Sequence, residues 1–267
     1  MKLRNKFIPA VLFFGVVALS SCEKQEHESM DPVMEQGVIS HILADSAEVT
    51  SYNFAGKQLS QINHYNVETG DLESFEKYER DSKGKVVKST MHGAGTHALL
   101  SEQVYHYNTN NRLVKTEMSY YNGSKVEYQG FATYEYDAKN YLEKKTVFEG
   151  TDNEKAAVKS YTLYEVLPNG NYAQEKQFII DDKSDAKLFS TTTYSYDSSV
   201  NPFHELAEPG TASSPNNLVA AVTEVHNSKK TYKYNYTYTY DERGYPLTQA
   251  VASPNGKNQT YKYLYSN

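Results

Sequence analysis

The stretch Tyr232–Pro246 reads YKYNYTYTYDERGYP, and its first nine residues alternate strictly between tyrosine and a polar side chain. A period of two residues is the signature of a β-strand that has one face against a core and the other in water. Asp241 and Gly244 follow, and they are typical of a tight turn in which a carboxylate caps backbone amides and glycine takes positive φ. The stretch therefore predicts a strand, a turn and the start of a return strand.

The same unit, Tyr-x-aromatic-Asp/Asn followed by polar or glycine positions and an aliphatic residue, recurs along the chain. Its leading tyrosines are Tyr52, Tyr78, Tyr105, Tyr134, Tyr164, Tyr194 and Tyr238, which are 26, 27, 29, 30, 30 and 44 residues apart. A unit of about 28 residues has room for two strands and two turns. The copies at Tyr52 and Tyr164 depart from the pattern. Seven copies predict an all-β fold, an antiparallel up-and-down meander of about 14 strands.

A meander of this length must hide its tyrosine face, so we expect it to close into a flattened or porin-like barrel. A barrel that spans a membrane is the rival architecture, but it needs an aliphatic band facing lipid. Here the face opposite the tyrosines carries Lys, Thr, Ser, Glu and Asn. The longest spacing holds an insertion at about 199–217, which is either a functional loop or a tolerated surface insertion.

The first residues have the features of an export signal. Three cations, Lys2, Arg4 and Lys6, precede an apolar run that is too short for a comfortable membrane span. Leu19-Ser20-Ser21-Cys22 then resembles the bacterial lipobox, which implies cleavage after residue 21 and acylation of Cys22. An ordinary signal with an incidental cysteine and an uncleaved anchor are the alternatives. Cys22 is the only cysteine, so no disulfide can form within the chain.

These features divide the chain into three parts. We expect residues 1–21 to be a lipoprotein signal peptide, residues 22–46 the lipidated N-terminus with a flexible tether, and residues 47–267 a single β-repeat domain. Without the signal peptide, 24 basic and 33 acidic residues remain, a net charge of −9. Such an acidic chain is a poor candidate for binding nucleic acid or anionic lipid.

Motifs that would indicate catalysis or a cofactor are missing from the sequence, so we predict a non-enzymatic protein without cofactor or metal. His92 and His97 lie in a loop of small residues, and as a metal site they would supply two imidazoles without a nearby carboxylate. A plain hairpin loop is the stronger interpretation. The aspartates at the repeat turns, Asp81, Asp137, Asp197 and Asp241, suit either Ca²⁺ ligation or side chain–backbone hydrogen bonds. Their recurrence at one place in each turn favours the structural interpretation.

Aromatic side chains are the remaining candidates for ligand contact, because they stack on sugars and anchor protein interfaces. Tyr120 and Tyr121 precede the turn signal Asn122-Gly123, and as consecutive strand residues they must point to opposite faces. Phe203 lies in the insertion. We therefore select Tyr120, Tyr121 and Phe203 as possible ligand-binding aromatics.

The repeats resemble the YD repeats of large secreted bacterial shells and of smaller lipoproteins. Together with the lipobox, Asn201–Phe203, Asn216-Asn217 and Tyr238–Pro246 are similar to a family of envelope lipoproteins of unknown function with a porin-like fold. The resemblance covers most of residues 47–267 and implies a barrel-like antiparallel sheet with no known activity. Asp45-Ser46-Ala47 resembles an O-glycosylation acceptor of exported bacterial proteins, which implies modification of Ser46 at the junction of tether and domain.

Three functions follow from these patterns. The leading one is a lipid-anchored scaffold, on the periplasmic face or the outer surface of the outer membrane, that binds glycan or an envelope protein. The second is a hydrolase acting on glycan or peptidoglycan, which two carboxylates with raised pKa would support. The third is a carrier of a small apolar ligand, which an apolar cavity in the lumen would support.

Overall fold

The computed structural model describes residues 37–151 and 155–266, which form sixteen strands. They are β1 (Val38–Ala44), β2 (Ala47–Ala55), β3 (Gln58–Tyr65), β4 (Leu72–Arg80), β5 (Val86–Gly93), β6 (Leu99–Tyr107), β7 (Leu113–Asn122), β8 (Lys125–Tyr136), β9 (Leu142–Glu149), β10 (Ala157–Val166), β11 (Tyr172–Ile180), β12 (Ala186–Val200), β13 (Asn216–Val225), β14 (Lys230–Tyr240), β15 (Pro246–Ala252) and β16 (Asn258–Ser266). In this part of the chain there is no helix with the length and apolar character of a membrane span.

Every strand pairs antiparallel with its neighbours in sequence, and β1 pairs with β16 to close a barrel. The predicted all-β, porin-like meander is therefore confirmed, with sixteen strands in place of about 14. The seven repeats supply β2 to β15, and the two additional strands are the pair that closes the barrel. The expected boundary at residue 47 falls too late, because Val38–Ala44 belongs to the barrel wall and not to a tether.

The strand β14 shows how the alternation seen in the sequence becomes two faces of the wall. Tyr234, Tyr236 and Tyr238 are buried or half-buried, whereas the residues between them are exposed. The buried face points into the lumen, where tyrosines from opposite walls form the core. The outer face carries ion pairs between neighbouring strands, Lys88–Glu102 at 2.7 Å and Lys144–Glu135 at 2.9 Å.

The repeat turns share one construction. In the turn after β14, Oδ1 of Asp241 accepts hydrogen bonds from the backbone amides of Arg243 and Tyr245, both at 2.9 Å, and Gly244 has a φ of 84°. The turns that begin at Asp81 and Asp137 repeat this pattern. All of these turns lie at one end of the barrel, which we call the repeat-turn end; the other end is the far end.

Candidate functional site: the plugged lumen

The insertion folds into the barrel instead of lying on its surface. Residues 201–215, which we call the plug, leave the wall after β12 at the repeat-turn end and return at β13. Asn201 starts the plug with a compact turn, because its Oδ1 accepts from the Phe203 amide at 3.0 Å and its Nδ2 donates to the Ser214 carbonyl at 2.9 Å. The motif Asn201–Phe203 thus joins the two ends of the plug.

The Asn216-Asn217 pair fixes the point at which the plug rejoins the wall. The side-chain amide of Asn171, which is 1% exposed, donates to Oδ1 of Asn216 at 3.0 Å. The backbone amide of Asn217 donates to Oδ1 of Asp197 at 3.2 Å, and the Tyr240 hydroxyl donates to the other oxygen of that carboxylate. This repeat aspartate lies within β12 and not at a tight turn, and through these bonds it ties the insertion to the barrel.

Phe203 anchors one side of the plug. Its ring lies 5.6 Å from the ring of Tyr263, nearly edge-on, and 6.3 Å from that of Tyr52. Both tyrosines are only 4% exposed. Phe203 is thus a core residue of the plugged lumen and not a surface aromatic.

Glu208 anchors the opposite side of the plug. One of its carboxylate oxygens, Oε1, accepts hydrogen bonds from the side-chain amide of Gln103 at 2.7 Å, from the Ser89 hydroxyl at 3.1 Å and from the Tyr105 hydroxyl. These three donors come from the inner faces of β5 and β6. A carboxylate with three donors on one oxygen is held firmly, because hydrogen bonds to a charged acceptor are the strong ones.

A second carboxyl group, Glu76 on β4, lies near Glu208. Burial, and after it the negative charge of Glu208, raise the pKa of Glu76 to about 7, while hydrogen bonds from Tyr78 and Ser89 oppose the rise. The Tyr78 hydroxyl donates to Oε2 of Glu76 at 2.8 Å. The lumen therefore contains two carboxyl groups in different environments: Glu208 accepts from three donors of the wall, and Glu76 binds a proton near neutral pH.

A cavity of about 410 Å³ lies between the plug and the far end of the barrel. This volume is within the range of small-molecule sites. Its wall is made of tyrosine rings, aliphatic groups, threonines and amides: Ile42, Val49, Thr50, Thr192, Tyr194, Asn201, Phe203, Asn217, Leu218, Ala221, Tyr234, Tyr236, Tyr238, Gln249, Gln259, Tyr261 and Tyr263. The plug contributes Asn201 and Phe203, so it forms one wall of the cavity.

The structure separates the three selected aromatics. Phe203 lines the cavity, but Tyr120 and Tyr121 do not. Tyr120 is 47% exposed and lies 6.0 Å from Tyr128, ring to ring. Met118, two residues earlier on β7, packs against the lumen core, so the side chain of Tyr120 lies on the lumen side and that of Tyr121 on the outer side.

The candidate modification and metal residues fall at the periphery. Asp45 and Ser46 form the exposed hairpin turn between β1 and β2, with φ angles of 48° and 75°. This turn belongs to the barrel wall at the far end and is not at the junction with the tether, where it was expected.

His92 and His97 pack against the Phe75 ring, with ring centroids 5.2 and 5.6 Å away. The described ranges contain no cluster of three metal-ligating side chains. Cys22 and the expected signal peptide at residues 1–21 lie outside the described residues.

Sequence reasoning missed Glu76, Glu208 and Asn217 as site residues. One signal was available for Glu76: it lies two residues before the leading tyrosine Tyr78, so a charged side chain occupies the inner face of β4. The positions of Glu208 and Asn217 depend on the path of the plug, which no local pattern indicates.

The comparisons with known proteins concern the fold. A porin-like protein from Bacteroides vulgatus has a TM-score of 0.49 and 9% identity, with 86% of this chain and 99% of that chain covered. A porin-like protein from Bacteroides uniformis has a TM-score of 0.49 and 13% identity, with 85% and 98% covered. A TcdB2-TccC3-Cdc42 structure has a TM-score of 0.29 and 13% identity over 80% of this chain and 14% of that chain.

No protein-family model matches the chain, and the curated proteins include no match to it. The porin-like fold expected from the resemblance is present in the structure, whereas membership of the envelope lipoprotein family stays a prediction.

Proposed function

We propose that this protein is a lipid-anchored, non-enzymatic protein of the outer membrane that holds a small apolar ligand in its barrel lumen. The observation that carries the proposal is the cavity of about 410 Å³ beside the plug, lined by tyrosine rings and aliphatic side chains. A wide barrel can fill its lumen with side chains or leave room for a ligand. The plug occupies part of the lumen at the repeat-turn end, and the cavity beyond it has room for a ligand.

The chain's placement in the envelope rests on the lipobox at Cys22. Gly37 lies at the repeat-turn end of the barrel, beside Ser266 of β16. An acylated Cys22 would therefore hold the barrel by the repeat-turn end, with the cavity on the other side of the plug. The ion pairs on the outer wall suit a barrel surrounded by water better than one embedded in lipid.

The hydrolase has one feature in its favour, the raised pKa of Glu76 in the lumen. Glu208 has three donors on one oxygen, and Glu76 already accepts from Tyr78. Glu208 is thus engaged in joining the plug to the wall, and Glu76 is engaged within the wall. Of the selected aromatics, only Tyr121 lies on the outer face, where a glycan or protein scaffold would need it. The carrier is the function that the lumen supports best.

The test is a fluorescence titration with N-phenyl-1-naphthylamine, an uncharged apolar probe, on the chain from residue 23, which keeps all sixteen strands. We expect saturable binding that is weakened at least tenfold by Ala221→Leu, because Ala221 lines the cavity. Ala220→Leu is the matched control: it is the adjacent residue of β13 and faces outward. Absence of saturable binding, or equal loss in both variants, would refute the proposal.

A further inference from the structure

A second cavity, of about 680 Å³, lies at the repeat-turn end, between the plug and the turns that follow β2 and β4. We call it the turn cavity. Of the described residues that line it, only Asn201 also lines the cavity of the proposed carrier. The carrier cavity has uncharged side chains alone in its described wall, whereas charged side chains line the turn cavity. The two cavities therefore suit different ligands.

The barrel wall brings three cations to the turn cavity: Lys57, Arg80 and Lys85. Lys57 is exposed in the two-residue turn between β2 and β3. Nζ of Lys85 lies 4.6 Å from the centroid of the Tyr107 ring and donates to the Asn111 carbonyl at 2.5 Å. These cations come from neighbouring turns, so they form one positively charged side of the cavity.

Arg80 is half-buried without a counter-charge from the chain. Its two terminal guanidinium nitrogens donate to the backbone carbonyls of Gly84 at 2.9 Å and Leu59 at 3.0 Å, which hold the side chain in place. Within residues 37–151 and 155–266, neither Arg80 nor Lys57 forms an ion pair. A partly buried cation is stabilised by an opposite charge, and an anion in the turn cavity would supply it.

The two acidic residues that line the turn cavity, Glu205 and Glu208, belong to the plug. One oxygen of Glu208 already accepts from three donors of β5 and β6. The negative charges thus lie on the plug and the positive charges on the wall. Because like charges repel, we expect an anionic group to occupy the wall side, beside the turns after β2 and β4.

Apolar side chains form much of the remaining surface of the turn cavity. Phe54, Leu59 and Val86 come from the wall, and Leu206 and Ala207 come from the plug. A small inorganic anion would leave this apolar surface in contact with water. A hydrocarbon chain attached to the anionic group would cover it, which is favourable.

The place of the turn cavity in the barrel also favours a lipid-like ligand. Gly37 lines the cavity, and Cys22 is only 15 residues earlier in the chain. Fifteen residues span at most about 50 Å. Acylation of Cys22, as in the proposed function, would therefore keep the turn cavity close to a membrane, where acyl chains with anionic head groups are concentrated.

We propose that the turn cavity binds a single-chain anionic amphiphile, an acyl chain that ends in a carboxylate or phosphate. The head group lies beside Lys57, Arg80 and Lys85, and the chain lies along the apolar side chains of the wall and the plug. This site is additional to the carrier cavity and takes a ligand of different charge.

The experiment is a calorimetric titration of the chain from residue 23 with four ligands, each below its micelle concentration. Laurate should bind saturably. Dodecanol, an uncharged alcohol with the same number of carbon atoms, should bind about tenfold more weakly, the usual effect of losing one hydrogen bond to a charged group. Dodecyl phosphate should bind like laurate. Inorganic phosphate should not bind at the same concentrations, which distinguishes an amphiphile from a free anion.

Three variants locate the site. Lys57→Glu should weaken laurate about tenfold and leave dodecanol unchanged. Lys83→Glu is the matched control, because Lys83 is exposed in the turn after β4 but does not line the turn cavity. Ala221→Leu, which fills the carrier cavity, should leave laurate binding unchanged.

Several results would overturn the inference. They are no saturable binding of laurate, equal affinities for laurate and dodecanol, phosphate binding as tight as that of laurate, and equal effects of the two lysine substitutions. Loss of laurate binding in Ala221→Leu would overturn it too, because the amphiphile would then occupy the carrier cavity. Binding of N-phenyl-1-naphthylamine is measured separately, so failure of this inference and failure of the proposed function are distinguishable.

Discussion

Replacing Glu76 with glutamine should remove a large part of the pH dependence of the barrel's stability. In the folded protein the pKa of Glu76 is raised from its ordinary value of 4.5 to about 7, chiefly by burial. A carboxyl group with a raised folded-state pKa binds its proton more tightly in the folded state than in the unfolded state. The contribution of protonated Glu76 to the free energy of unfolding is complete below about pH 4.5, declines between pH 4.5 and 7, and is absent at higher pH.

The expected magnitude follows from these two values. Between pH 5 and pH 8 the wild-type chain should lose about 2.5 kcal/mol of unfolding free energy through Glu76. Glu76→Gln keeps an oxygen for the Tyr78 hydroxyl and has no charge to place beside Glu208. Its stability should therefore be close to wild type at pH 5 and higher than wild type by a comparable amount at pH 8.

Urea denaturation at pH 5, 6, 7 and 8 measures these differences, with intrinsic tyrosine fluorescence as the signal. Glu79→Gln is the control, because Glu79 is on the same strand, exposed on the outer face. It should keep the wild-type slope. If Glu76→Gln loses as much stability between pH 5 and pH 8 as the wild type does, the assignment of the raised pKa is wrong.

Three further predictions concern the plug and the two modification sites. Gly210→Ala should lower the melting temperature more than Gly244→Ala: both glycines have positive φ, but a Cβ at Gly210 would lie 2.5 Å from the Tyr134 ring, whereas Gly244 has open space. Equal decreases in melting temperature for the two variants would show that residue 210 of the plug is not in close contact with the Tyr134 ring. Cys22→Ala should abolish labelling with an alkynyl palmitate in the native host and release the protein from the membrane fraction; persistent labelling would contradict acylation at this residue. Ser46→Ala should remove any glycan mass from the exported protein, and an unchanged glycosylated mass would place the modification elsewhere.

The repeat pattern was sufficient to predict the barrel, because each β-hairpin is encoded locally. The alternation in β14 identifies the buried face, and Asp241 with Gly244 identifies the turn that follows. β1 escaped this reasoning for a physical reason. Its burial alternates irregularly, with a register shift between Ile39 and His41, so its sequence lacks the strict period of two. Its place in the wall depends on pairing with β16, more than 200 residues away.

The site could be predicted only in outline. The long spacing before the last repeat marked the insertion, and Phe203 within it does line the cavity. The hydrogen bonds that place the plug join Glu208 to residues 103 to 119 positions earlier in the chain. No local period or motif encodes contacts over that separation. For the same reason, the bond between Asn217 and Asp197 becomes visible only once the plug is in place.

The plug connects the carboxyl groups to the cavity. Phe203, which forms part of the cavity wall, and Glu208, which is anchored to β5 and β6, are five residues apart in a segment held at both ends. Ionisation of Glu76 near neutral pH places a second negative charge close to Glu208 and weakens the anchor without removing its three donors. A weaker anchor gives Phe203 more freedom against Tyr52 and Tyr263, and both Phe203 and Tyr263 line the cavity. Ligand affinity and the protonation of Glu76 are therefore expected to be linked through the plug, and a ligand that holds Phe203 in place should raise the pKa of Glu76 in return.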